Sequence, residues 1–197
     1  MSHAERTAKI QRKTSETAIE LELSLDRPAE PAIETGLGFF DHMLTAWATH
    51  GRVGLTLRCK GDLHVDDHHT IEDCGLALGS AIDQALQQRA GIERFGDATV
   101  PMDEALCRAA IDLSGRPLPV IELGFRRESL GGLATENLTH FFQSLATTGR
   151  FALHLDVIRG NNDHHRAEAA FKACAVALRR ACEPTGGGIP STKGTLG

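Results

Sequence analysis

The sequence holds no apolar run of the roughly 18 residues that a membrane-spanning helix needs. Its opening stretch, "MSHAERTAKIQRKTSET", has no apolar centre and does not read as a secretory signal. There is no CxxC pair, and the cysteine count, 5, is odd. Cys59, Cys74, Cys107, Cys174 and Cys182 mostly fall on apolar faces, so they read as reduced core thiols of a cytoplasmic protein. There is no basic excess either. Lys and Arg number 21 against 26 Asp and Glu, a net charge of −5, which leaves no footprint for nucleic acid.

The remainder is ordinary globular composition, 41% hydrophobic and 24% charged over 197 residues. That length suffices for one domain with a sizeable core or for two small ones. Histidine stands out. There are 10, and most are clustered.

Periodicity places the elements. "TAIELELSL" at 17–25 alternates strictly, with Ile19, Leu21, Leu23 and Leu25 on one face and Glu20, Glu22 and Ser24 on the other. That is a half-buried strand. The stretches 52–59, 105–113 and 151–158 alternate in the same way. Helices are expected over roughly 38–50, 68–89, 136–148 and 163–182, and in the second and fourth of these apolar residues recur at three- and four-residue steps. Asp67 and Asp163 stand where N-caps would fall.

Sliding the chain on itself reveals an internal repeat. "HMLTAWATHGR" at 42–52 aligns with "HFFQSLATTGR" at 140–150, an offset of 98. After a loop two residues shorter in the second half, "DHHTIE" at 67–72 aligns with "DHHRAE" at 163–168, an offset of 96. The chain therefore reads as a duplication of about 90 residues. The expected fold is α+β, with internally duplicated ββαβα-type half-domains, pseudo-twofold symmetry and helices on one face of the strands. The repeats run over about 10–95 and 96–185 of a single 1–197 domain, followed by a Gly-rich tail at 186–197.

The repeated hexapeptide carries chemistry. Residues four apart on a helix share a face. His68 with Glu72, and His164 with Glu168, can therefore each hold one divalent metal. His69 and His165 sit about 100° further round and could reach a second metal. The repeat also matches His42 to His140. Two sites of three histidines and one glutamate follow by division. One is expected to hold His68, Glu72 and His165, the other His69, His164 and Glu168, with His42 and His140 left to be assigned. A lone His-x-x-x-Glu is usually a solvated pair. A tandem His-His kept twice with the same flanks, plus a matched third His, is hard to explain as decoration. Imidazole and carboxylate ligands suit Mn, Fe or Zn rather than Ca. Without thiolates, a structural zinc knuckle is not indicated.

"GFFDHML", "DHHTIEDCGLALG", "NLTHFF", "DHHRAEAAFKA" and the terminal "STK" resemble the imidazoleglycerol-phosphate dehydratase family of histidine biosynthesis, from about residue 6 to 193. The resemblance implies sheets flanking a helix bundle, two Mn²⁺ per active site and a homo-oligomer of 24 subunits with active sites at subunit interfaces. It implies dehydration of imidazole glycerol phosphate to imidazole acetol phosphate. No appended phosphatase motif is seen, so the monofunctional form is expected. By matching motifs, the metal ligands are His42, His68, His69, Glu72, His140, His164, His165 and Glu168. Glu16 matches the family's acid–base and substrate-contact glutamate. Arg94, Arg116, Lys172, Ser191 and Lys193 match phosphate contacts, and His50 is a further substrate-contact candidate. Two other readings use similar ligands. A dinuclear metallohydrolase would activate water between the metals, and a metal-storage protein would have no use for Arg94, Arg116 and Lys193.

Overall fold

The computed structural model describes residues 5–192, 194 and 196. The first half runs β1 (Thr7–Lys13), β2 (Thr17–Ser24), β3 (Ala32–Glu34), α1 (Gly38–Gly51), β4 (Gly54–Gly61) and α2 (His68–Leu86). The second runs β5 (Phe95–Met102), β6 (Ala105–Asp112), β7 (Leu118–Glu122), a short hairpin of β8 (Ser129–Leu130) and β9 (Leu133–Ala134), then α3 (Thr135–Gly149), β10 (Ala152–Arg159) and α4 (Asp163–Ala181). The two four-stranded sheets have the orders β1-β2-β4-β3 and β5-β6-β10-β7, which are the same order in each half. In both, the first three strands pair antiparallel and the edge strand pairs parallel. The duplication is therefore one of topology as well as sequence.

The first half has one strand more than the ββαβα reading, β3, and the second has three more, β7 and the two-residue strands β8 and β9. β3 and β7 are short edge strands, and alternation over so few residues gives little signal. β1 and β5 were also not read from periodicity. The inward face of β5 is made of Gly96, Ala98, Val100 and Met102, of which only Val100 has strong strand character, and Pro101 interrupts the run.

The strands that alternate in sequence alternate in burial. β2 turns Ile19, Leu21 and Leu23 inward and pairs them with Cys59, Leu57 and Leu55 of β4. β6 pairs Ala109 and Ile111 with Leu155 and Leu153 of β10. All five cysteines are free and buried. Phe141 sits edge-on to Phe40 at 5.3 Å between ring centroids and stacks on Phe171 at 5.2 Å, so residues of both halves share one core. No described helix is long and apolar enough to cross a membrane.

The helices interlock across the repeat. α2 of the first half packs on α3 of the second, and α1 packs on α4. Small residues set the α2–α3 approach. A Cβ on Gly75 would lie 2.8 Å from the Phe141 carbonyl oxygen, and one on Gly79 would lie 2.7 Å from the Gly149 nitrogen. Gly79→Ala is therefore expected to cost about 1–3 kcal/mol, read as a shift in urea midpoint at unchanged slope. An unshifted midpoint would mean that the two helices can part freely.

The helix starts correct one expectation. Asp67 stands at the N-cap of α2 as expected, but the N-cap of α4 is Asn162, and neither Asp67 nor Asp163 caps with its side chain. Asn162 Oδ1 accepts from the His164 backbone N–H at 2.9 Å, and Asp66 Oδ1 accepts from that of His68 at 2.9 Å. Asp163 instead accepts from the backbone N–H groups of Arg126 and Arg127, and Asp67 from that of Ala134. Both carboxylates tie a helix start to a distant loop, which local sequence does not reveal. At the other end, α2 stops at Leu86, before the expected 89, with Gln87 at φ 49°. α1 and α3 both end on a Gly–Arg pair whose arginine, Arg52 or Arg150, takes the left-handed conformation.

Candidate metal centre

Because α2 packs on α3 and α4 on α1, each hexapeptide faces a histidine from the other half. His68, Glu72 and His140 form one group, and His42, His164 and Glu168 another, with one ligand atom from each residue lying within 4.8 Å of the rest. In the first, Glu72 Oε2 is 3.6 Å from His68 Nε2 and Oε1 is 3.3 Å from His140 Nε2. In the second, Glu168 Oε2 is 3.4 Å from His164 Nε2 and 3.7 Å from His42 Nε2. In space His140 stands with His68, and His42 with His164.

The neighbouring histidines diverge as helix geometry requires. His68 and His69 lie 6.0 Å apart at 81° between ring planes, and His164 and His165 lie 6.1 Å apart at 86°. Neither His69 nor His165 belongs to a three-residue group among the described residues. Each is held by carboxylates. His69 Nδ1 is 3.0 Å from Asp62 and its Nε2 is 3.7 Å from Glu16 Oε1. His165 Nδ1 is 2.7 Å from Glu104 and its Nε2 is 3.5 Å from Asp103. The Asp62 hydrogen bond raises the His69 pKa above its ordinary value, and that of Glu104 does the same for His165. Glu104 is held down to about 2 by His165 and by the backbone N–H groups of Asn162 and Asn161.

Glu16 occupies the β1–β2 turn. That turn is anchored from α2, because the buried Asp73 accepts from Arg12 and from the Thr17 hydroxyl. The duplication offered Glu16 no counterpart in sequence. In space it has one: the equivalent β5–β6 turn carries Asp103 to His165 as Glu16 is carried to His69.

Of the expected phosphate contacts, Arg94 is bound to Asp112 at 2.7 Å and donates to the Pro190 carbonyl at 2.8 Å, so it tethers the start of the tail, which includes Ser191. Arg116 is exposed in the turn after β6. Lys172 Nζ lies 2.7 Å from Glu168 Oε1. Burial pushes the Glu168 carboxyl up, while Lys172, His42 and His164 together bring it below its ordinary value. His50 is lowered by burial and by Lys172. Lys193 lies outside the described residues.

The donors fit a divalent cation. His140 Nε2 is buried and makes no hydrogen bond, although Glu72 Oε1 lies 3.3 Å away. Imidazole with carboxylate and no thiolate is a set for Mn, Fe or Zn. Residues that spacing did not reveal also bear on the centre. Asn137 Oδ1 lies 3.0 Å from His68 Nδ1, and Asp62 and Glu104 fix the two outlying histidines.

A duplicated α+β scaffold here brings together, from interlocked helices, two sets of imidazoles and a carboxylate that could each hold a metal ion. The imidazoleglycerol-phosphate dehydratase profile matches residues 35–178. An imidazoleglycerol-phosphate dehydratase of Acidiphilium cryptum is 57% identical over 194 residues, covering 97% of this chain and 99% of that one. In one of Phytophthora nicotianae the match is 56% identical and covers 97% of this chain, but this chain spans only 42% of that protein. The crystal structure of the Staphylococcus aureus imidazoleglycerol-phosphate dehydratase superposes with a TM-score of 0.83 at 34% identity, covering 91% of this chain and 99% of that one. The chain belongs to the imidazoleglycerol-phosphate dehydratase family, whose members are hydro-lyases.

Proposed function

We propose that this chain dehydrates imidazole glycerol phosphate to imidazole acetol phosphate in histidine biosynthesis, acting in the cytoplasm as a single domain over residues 1–197 with two Mn²⁺ per active site. The observation that carries the reading is the pair of matched groups, His68–Glu72–His140 and His42–His164–Glu168, in a member of this family. When bound, the two cations supply the Lewis acidity that favours the imidazolate form of the substrate ring.

The chain's own residues do the rest. The proton to be lost has no adjacent carbonyl to acidify it, so the ring relays the electrons. The ring expels the hydroxyl beside it, Glu16 takes the proton from the neighbouring carbon, and the enol tautomerises to the ketone. Glu16 lies 3.7 Å from His69, on a turn braced by Asp73, which suits a base that must hold its position. Arg94, Arg116, Lys172, Ser191 and Lys193 supply charge and donors for the phosphate, and His50 is a further substrate contact. Binding energy far from the reacting carbons thus orients them.

His69 and His165 point away from their own chain's groups. This favours ligand exchange between copies in a homo-oligomer, for which 24 subunits is the family expectation. His165 of a second copy would complete His68–Glu72–His140, and its His69 would complete His42–His164–Glu168. Mixing two inactive proteins, Glu72→Gln and Glu16→Gln, should regain activity through hybrid sites. No recovery after proven subunit exchange would remove the shared site. Incubation with imidazole glycerol phosphate and detection of the ketone tests the reaction itself. Cleavage of a phosphate ester in its place would favour the metallohydrolase reading.

A further inference from the structure

The two groups are related by the duplication, but their surroundings are not. The repeat aligns Asn137 with Phe39 and Lys172 with Leu76. Asn137 is buried. Its Oδ1 accepts from His68 Nδ1 at 3.0 Å, and its Nδ2 donates to Asp67 Oδ1 at 3.0 Å. Asp67 is itself held by the Ala134 backbone N–H. This relay places the proton of His68 on Nδ1 and leaves the Nε2 lone pair facing Glu72. In the other group the corresponding neighbour is the ring of Phe39, edge-on to His164 at 5.2 Å between centroids. His164 Nδ1 has no hydrogen-bonding partner among the described residues.

The carboxylates differ in the same sense. Glu72 offers one oxygen to each of its two histidines, and the residue one turn on, Leu76, carries no charge. Glu168 offers one oxygen to both histidines because the other is bound by Lys172. A cation entering there meets an ammonium already in place. Both differences act in one direction.

We infer that the His68–Glu72–His140 centre is the stronger of two unequal divalent-cation sites, with Asn137 as its positioning residue and Lys172 as the residue that weakens the other. The inference rests on reading both groups as cation sites. Hydrogen-bond partners of metal-bound histidines are worth about 10–100-fold in affinity, and that is the expected separation.

The test uses the full-length protein loaded with Mn²⁺ and equilibrated against chelator buffers of falling free Mn²⁺. Bound metal should fall in two steps of one ion per chain, at least about tenfold apart in free Mn²⁺. Asn137→Leu should shift the tighter step to about tenfold or more higher free Mn²⁺ and leave the looser step in place. A merely structural loosening would move both. Lys172→Met, on a separate helix, should move the looser step to lower free Mn²⁺ and spare the tighter one. Loss of both ions in a single step, or an Asn137→Leu shift confined to the looser step, overturns the inference. A protein that takes up no divalent cation in any buffer overturns the cation reading beneath it.

Discussion

Glu16→Gln is expected to lower turnover by about 10²–10⁴-fold, the usual worth of a general acid or base, while metal content and oligomer size stay unchanged. Glutamine keeps the size and the hydrogen-bonding reach of the side chain but removes the basic oxygen. The turn that carries residue 16 is fixed independently, because Arg12 and Thr17 are bound by Asp73, not by Glu16. Glu16 also lies outside both three-residue groups, 3.7 Å from the Nε2 of a histidine whose other nitrogen is taken by Asp62. Its loss should therefore fall on the chemical step. Single-turnover kinetics beside metal analysis separates the outcomes. Near-normal turnover removes Glu16 from proton transfer, and lost metal makes it a structural residue.

His140→Ala should have an effect of similar size by another route. His140 Nε2 is buried, unpaired by any hydrogen bond and aimed at Glu72. Removing it leaves His68 and Glu72 with space where a third donor stood. One of the two cations per chain should be lost. A metal's share of transition-state stabilisation is several kcal/mol, so turnover should fall on the order of 10³-fold at 1.36 kcal/mol per decade. Elemental analysis and the dehydratase assay read both quantities. Two retained cations would show that His140 is not a ligand.

How much of this was legible in sequence depended on how local the physics is. Strands β2, β4, β6 and β10 and all four helices follow from periodicity, because one face of each is buried and the other is not. The candidate ligands were legible for the same reason: spacing on one helix fixes the face shared by His68 and Glu72. The assignment of His140 and His42 was not, because it depends on which helices touch, and α2 meets α3 across the repeat. Asp62, Asp73, Glu104 and Asn137 were invisible, since each reaches its partner from another element. The kinship of Glu16 with Asp103 was hidden by turn length. The first hairpin turns through Thr14, Ser15 and Glu16, the second through Asp103 and Glu104 alone, so the two do not align by sliding. Asp67 holds the N-cap position of α2, but the side-chain capping bonds come from Asp66 and Asn162, because distant segments offered the Asp67 and Asp163 carboxylates backbone donors.

The central claim is that bound divalent cations, held by the two matched groups, are required for dehydration of imidazole glycerol phosphate. The direct measurement is formation of the ketone by one preparation in three states: as purified, rigorously demetallated, and reloaded with Mn²⁺. Product formation should vanish on demetallation and return with about two Mn²⁺ per chain, one for each group of imidazole and carboxylate donors. Full turnover by protein shown to hold no metal would contradict it.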